Sequence, residues 1–137
     1  MTAGVQQPPA ETHRIRVRYA ETDQMGIAHH SAFVVWLEEA RIAWLRQRGS
    51  SYRDLEAGGL LLPVIELNLR YRASLRFDDL AEITTCAERT GPSRLAFHSR
   101  IERDSTLCAE GTVVVVATDR GGRPVRLPPL LVAAAGG

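Results

Sequence analysis

From residue 13 to residue 20 the chain alternates. Ile15, Val17 and Tyr19 stand between Arg14, Arg16 and Arg18. A period of two predicts a strand with one buried face. Glu21 to Gly26 reads as a polar loop. From Ser31 to Arg48 the period changes, and Phe33, Trp36, Leu37, Ala40 and Trp44 recur at helical spacing. Val34, Val35, Ile42 and Leu45 widen that face until only a narrow polar strip remains, so this helix is expected to be mostly enclosed. Ser31 is the expected cap at its start, and Gly49 suits the position after its end. A short helix is expected over 51–57, closed by Gly58-Gly59. Four strand-like stretches follow at 62–72, 80–90, 94–103 and 107–118, separated by Asp78-Asp79, Gly91-Pro92 and Asp104-Ser105.

The order is thus β-α-β-β-β-β, with short turns between the last three strands, which predicts an antiparallel sheet. One long, nearly all-apolar helix has to be covered, and a curved sheet wrapped around it is the economical solution, an α+β layout. The hot-dog arrangement satisfies this pattern, as do other α+β sandwiches. The chain has 137 residues, enough for one domain. It divides into a flexible N-terminal segment 1–12, a domain over 13–128, and a tail 129–137 with little structural signal.

Composition narrows the function classes. The 17 basic residues nearly balance 16 acidic ones, leaving a formal charge of +1. That lacks the concentrated basic excess of a nucleic-acid binder or an anionic-membrane binder. All of the basic residues are arginine, whose planar fork suits carboxylates and phosphates. Cys86 and Cys108 have no ligand-like spacing and read as small strand residues, so no metal site is expected. The N-terminus has no apolar signal core, and Leu60 to Ile65 is far too short to span a bilayer. A cytoplasmic protein without integral membrane association is the expectation.

Candidate chemistry concentrates in Arg18-Tyr19-Ala20-Glu21-Thr22-Asp23-Gln24-Met25-Gly26-Ile27-Ala28-His29-His30. This stretch resembles the start of the 4-hydroxybenzoyl-CoA thioesterase family, and looks closest to its branch of short-chain acyl-CoA thioesterases associated with the Tol-Pal system. The family pattern is a strand, a Thr-Asp pair, a small residue before Gly, a His or Tyr seven residues after the Asp, and then the central helix. Here those are Thr22-Asp23, Gly26, His30 and the helix carrying Glu38-Glu39-Ala40-Arg41. Tyr71 to Asp79 and Leu127-Pro128 also look like the family, so the resemblance covers roughly 13–128. Ser74 stands where the family usually has proline, and His29 where many members have an aromatic residue.

The resemblance implies a hot-dog fold and hydrolysis of an acyl-CoA to free acid and CoA. It implies Asp23 as nucleophile or general base and the backbone N–H at His30 as polariser of the thioester carbonyl, with Ser31 close behind. The chemistry suits those positions. A carboxylate is ionised near neutral pH and can attack or accept a proton from water. A helix N-terminus offers about four unpaired N–H groups and the positive end of a dipole. A loop Asp before a helix is also an ordinary turn residue; the surrounding motif is what singles this one out. Gly26 permits the tight turn between carboxylate and helix. Benzoyl-type members carry a basic triplet near a strand turn for the CoA phosphates. Here that stretch is Gly91-Pro92-Ser93, which leaves the flanking Arg89 and Arg94 as candidates. No cofactor is expected beyond the CoA of the substrate. A homodimer or homotetramer is expected, because a sheet wrapped on one helix leaves an uncovered edge. The competing readings are a non-catalytic acyl-CoA-binding or assembly protein, and a hot-dog hydratase or dehydratase. The latter class has a Gly- and Pro-rich helix start around a His-Phe pair, which this chain lacks.

Overall fold

The computed structural model describes residues 10–136. Residues 1–9, most of the expected N-terminal segment 1–12, lie outside the described residues, as does Gly137. The elements are β1 (Ala10–Arg16), α1 (His30–Gln47), α2 (Tyr52–Ala57), β2 (Val64–Tyr71), β3 (Leu80–Gly91), β4 (Arg94–Arg103), β5 (Thr106–Val116) and α3 (Pro129–Ala134). The five strands form one sheet in the order β1-β3-β4-β5-β2, with every neighbouring pair antiparallel. The fold is the α+β layout expected, one long helix against one sheet.

The alternation read in the sequence sets which face meets α1. Ala81, Ile83, Thr85 and Ala87 of β3 are buried, as are Leu95, Phe97, Ser99 and Ile101 of β4 and Ala109, Val113 and Val115 of β5. Their partners on the other face carry the charge: Arg70, Glu110 and Arg100 stand side by side across β2, β5 and β4. From α1, Phe33, Trp36, Leu37, Ala40, Trp44 and Leu45 pack into this core. Trp36 and Trp44 are fully buried, and Trp44 meets Phe97 edge-on at 5.5 Å. The close approach of helix to sheet depends on Gly111. A Cβ there would stand 2.9 Å from Leu69 Cδ2 and 3.2 Å from Leu37 Cδ1, nearer than side chains pack.

Four local expectations differ from the structure. Val34 and Val35, expected to widen the enclosed face of α1, are 40 and 47% exposed, because the sheet covers one side of the helix only. The first strand runs over Ala10–Arg16 rather than 13–20. The chain leaves the ladder at Val17, and Tyr19–Glu21 form a single 3-10 turn because the Glu21 carboxylate accepts the Arg18 N–H at 2.8 Å. A side chain–backbone bond of this kind competes with strand pairing. Ser31 is not the cap of α1. His29 holds the N-cap position without a side-chain bond, and Ser31 lies inside the helix with its Oγ 2.8 Å from His29 Nδ1. The stretch 129–137, expected to carry little structure, holds α3. Pro129 sits in its first turn, where a missing N–H costs nothing, and Leu131 is fully buried. Gly49 does follow the end of α1 as expected, at φ +76°.

β1 and β2 are the sheet edges. On β2 and at its end, Val64, Ile65, Leu67 and Tyr71 are 42 to 48% exposed. An apolar strand with one unpaired side is a template for pairing with another strand.

Candidate active site

The loop between β1 and α1 is built to hold a carboxylate beside a helix N-terminus. Asp23 Oδ1 accepts the N–H of Met25 at 2.8 Å and that of Ile27 at 3.4 Å. The Asp23 N–H donates back to Ile27 O at 2.9 Å, and the Gly26 N–H donates to Asp23 O at 3.0 Å. Gly26 closes this turn at φ +81°, a conformation that other residues adopt only with strain. The other carboxylate oxygen, Oδ2, has no partner among the described residues and is left for water or substrate.

One bridge closes this turn on itself and two ties fix it against the rest of the molecule. Thr22 bridges to Ala28, Ile27 bridges to Arg76, and the Ala28 N–H donates to Leu75 O at 2.7 Å. The His29 N–H donates to Glu21 O at 3.0 Å. Glu21 itself is only 7% exposed, and its Oε2 accepts the indole N–H of Trp36 at 2.7 Å. Burial acts to raise the Glu21 pKa, but the Arg18 N–H, the Trp36 indole and the Arg18 guanidinium outweigh it and hold the carboxyl below its usual range. A buried, ionised carboxylate thus links the loop ahead of Asp23 to the second turn of α1.

At the start of α1, Ala32 N–H is taken by His29 O. The N–H groups of His30 and Ser31 have no acceptor among the described residues, as expected of a helix first turn. His30, though not Ser31, belongs to the lining of a pocket of about 190 Å³, with Ile27, Ala28, Phe33, Tyr71, Arg72, Ala73 and Ser74. Ile27, one of the two backbone donors to Asp23 Oδ1, belongs to this lining. The structure therefore brings together Asp23, Gly26, His30 and Ser31 from the predicted set. A larger open hollow of about 410 Å³ lies on the opposite face of the sheet, between Asn68, Arg70, His98 and Arg100, and contains none of them.

Arg89 and Arg94 are not brought to this pocket within one chain. They flank the β3–β4 turn, whereas the Asp23 loop is tied to the segment just before Leu80, at the other end of β3. From Leu80 to Arg89 the strand runs about 30 Å. Sequence reading also passed over two residues that shape the site. Tyr71, at the end of β2, stacks on the His30 ring with centroids 4.6 Å apart and donates its hydroxyl to His30 O at 3.1 Å. Glu21 is the other, and its pairing with Trp36 spans 15 positions. A tyrosine closing an apolar alternation was the available signal for the first. Nothing local marks the second. Among the described residues no group of three or more His, Cys, Asp or Glu side chains is arranged to hold a metal ion, and no helix is long and apolar enough to cross a membrane.

The chain's likeness to known proteins agrees with this geometry. It is 34% identical to the acyl-CoA thioester hydrolase YbgC of Escherichia coli O6:H1 over 116 residues, 84% of either chain. It is 43% identical over 74 residues to YneP of Bacillus subtilis, named as a candidate acyl-CoA thioesterase, a match spanning about half (54%) of each. Among solved structures it is similar to the hypothetical protein TT1821 from Thermus thermophilus, with a TM-score of 0.86 at 39% identity, covering 93% of this chain and 95% of that one. The family model of the Thioesterase-like superfamily matches residues 17–135. With that model spanning the Asp23 loop, α1 and strands β2 to β5, the chain belongs to the thioesterase-like, hot-dog superfamily.

Proposed function

We propose that this protein is a cytoplasmic acyl-CoA thioesterase of the 4-hydroxybenzoyl-CoA thioesterase family, nearest its Tol-Pal-associated short-chain branch. Asp23 is its catalytic carboxylate. The observation that carries this reading is a carboxylate with one free oxygen, held in the loop just before a helix first turn whose His30 and Ser31 N–H groups are unpaired among the described residues and whose His30 lines a pocket. The YbgC and YneP relatives supply the substrate class.

In this mechanism the thioester oxygen lies against the His30 and Ser31 N–H groups. They stabilise the negative charge that develops there, helped by the dipole of an 18-residue helix. Asp23 Oδ2 takes a proton from water as the water oxygen bonds to the carbonyl carbon; alternatively Oδ2 attacks that carbon itself, and the acyl-Asp23 anhydride left after C–S cleavage is hydrolysed by water to the free acid and the restored carboxylate. The C–S bond then breaks, and CoA leaves as thiolate and is protonated. Neither metal nor resident cofactor takes part.

The phosphates of CoA need cationic partners, and a second copy of the chain supplies them in this reading. If two β2 edges pair antiparallel, the sheet is inverted end to end across the joint. The partner's Arg89 and the partner's Arg94 then face the end of the sheet that carries Asp23. This gives the two arginines a role that their position in one chain does not.

The test is thiol release over short, medium, long and aromatic acyl-CoAs, with Asp23→Asn measured on the best one. Asn still accepts the Met25 N–H through its Oδ1, so the variant should melt close to the parent. It cannot serve as base or nucleophile, and kcat should fall by at least about 10² with KM little changed. Near-normal kcat would remove Asp23 from the mechanism. CoA binding without thiol release by the parent protein would favour a binding role instead.

A further inference from the structure

The hydroxyl of Tyr71 is placed where packing alone does not require one. Its ring rests on the His30 imidazole and meets the buried Phe33 edge-on at 5.0 Å. Phenylalanine would make both ring contacts. The hydroxyl instead reaches the backbone and donates to His30 O at 3.1 Å. That carbonyl belongs to the same peptide unit as the Ser31 N–H, one of the two first-turn donors of α1 that have no acceptor among the described residues.

A hydrogen bond accepted by a peptide carbonyl polarises the unit and strengthens its N–H as a donor. It also fixes the plane of the peptide and hence the direction of that N–H. Tyr71 is itself held firmly. It ends β2, and the next two N–H groups, of Arg72 and Ala73, both donate to Cys108 O at 2.7 and 3.1 Å. Burial pushes the phenol pKa up, so the group stays protonated, and a donor, through neutral pH.

We infer that Tyr71 is a positioning residue for thioester hydrolysis, one that aligns and strengthens the Ser31 N–H as an oxyanion donor through its hydrogen bond to the His30 carbonyl. The inference rests on the thioesterase reading and adds to it a residue 41 positions away in sequence from His30. It assigns the effect to the hydroxyl and to the charge-separated state, not to substrate binding.

The experiment compares Tyr71→Phe with the parent on two CoA ligands. One is a trifluoromethyl ketone analogue, which adds a nucleophile and carries an oxyanion. The other is a thioether analogue with no carbonyl oxygen. Tyr71→Phe should weaken the ketone by about three- to tenfold, the worth of one neutral hydrogen bond, and leave the thioether unchanged. kcat should fall by a similar factor at constant KM. Both affinities come from one sample, so a partly unfolded fraction does not alter their ratio. An equal loss on both ligands, or on neither, overturns the inference. If the parent turns over acyl-CoA and Asp23→Asn abolishes it while Tyr71→Phe is unchanged, the inference fails and the thioesterase reading stands. If the parent releases no thiol from any acyl-CoA, both fall together.

Discussion

Glu21 carries as much of the site's order as Asp23 while touching nothing that reacts. Its carboxylate accepts from Trp36 and Arg18, and its backbone carbonyl holds the N-cap residue of α1. Replacing it with alanine leaves a buried indole N–H and a backbone N–H without their acceptor. Each orphaned donor of this kind costs about 1–3 kcal/mol. Glu21→Ala should therefore be clearly less stable than the parent in urea at pH 7. The pH dependence follows from the lowered carboxyl pKa. A group held more acidic in the folded state stabilises above its unfolded pKa, here near 4.5, and that contribution is lost as pH falls through the folded value. The gap between Glu21→Ala and the parent should thus narrow as pH drops below about 4.5. A gap that stays constant from pH 7 down to about pH 3 would mean that folding does not lower the Glu21 pKa. Asp23 and His30 were legible because one short motif contains both. Glu21 and Tyr71 were not, because Glu21 lies 15 positions from Trp36 and Tyr71 lies 41 from His30, and only folding brings them together.

At the scale of elements, the period of the apolar residues located α1 and all five strands, since alternation and helical spacing follow directly from which face is buried. The ends were decided otherwise. β1 stops at Arg16 because Val17 turns into the core and Glu21 captures the Arg18 N–H. α3 escaped notice because six residues are too few to show a period, and Pro128-Pro129 look like loop punctuation as much as a helix start. Its packing makes it part of the domain. Leu131 has no exposed surface and lies in the same core as Trp36 and Ile101. Leu131→Ala should cost about 2–4 kcal/mol, the loss of a buried side chain plus the cavity left behind. Chemical denaturation of the two proteins measures it. A change under about 0.5 kcal/mol, the range of surface substitutions, would show that α3 is an appendage.

The whole molecule is asymmetric in how it treats its two sheet edges. β1 alternates charged residues such as Arg14 and Arg16 along its length, while β2 exposes Val64, Ile65 and Leu67. The β2 edge is thus the one suited to a second copy, and the proposed CoA site needs that copy for its arginines. Leu67→Glu puts a charge on the apolar side of this edge. It should yield a monomer by light scattering at micromolar concentration, with a raised KM for acyl-CoA. A dimer that survives the change, with KM intact, would move the interface away from β2.

The sequence by itself determined the secondary-structure pattern, the α+β class and the loop that carries the candidate carboxylate. Each of these depends on neighbours close along the chain: the alternation, the helical spacing, and a glycine three positions after Asp23. The tertiary structure decided what surrounds that carboxylate. Tyr71 reaches His30 only because β2 returns to the sheet edge beside α1. Glu21 is held ionised by its neighbour Arg18 and by Trp36, and only the fold brings Trp36 to face it. Arg89 and Arg94 stand far from the Asp23 loop because the 12-residue β3 separates that loop from the β3–β4 turn. Which groups converge on a site depends on how the chain closes upon itself, and no local period encodes that.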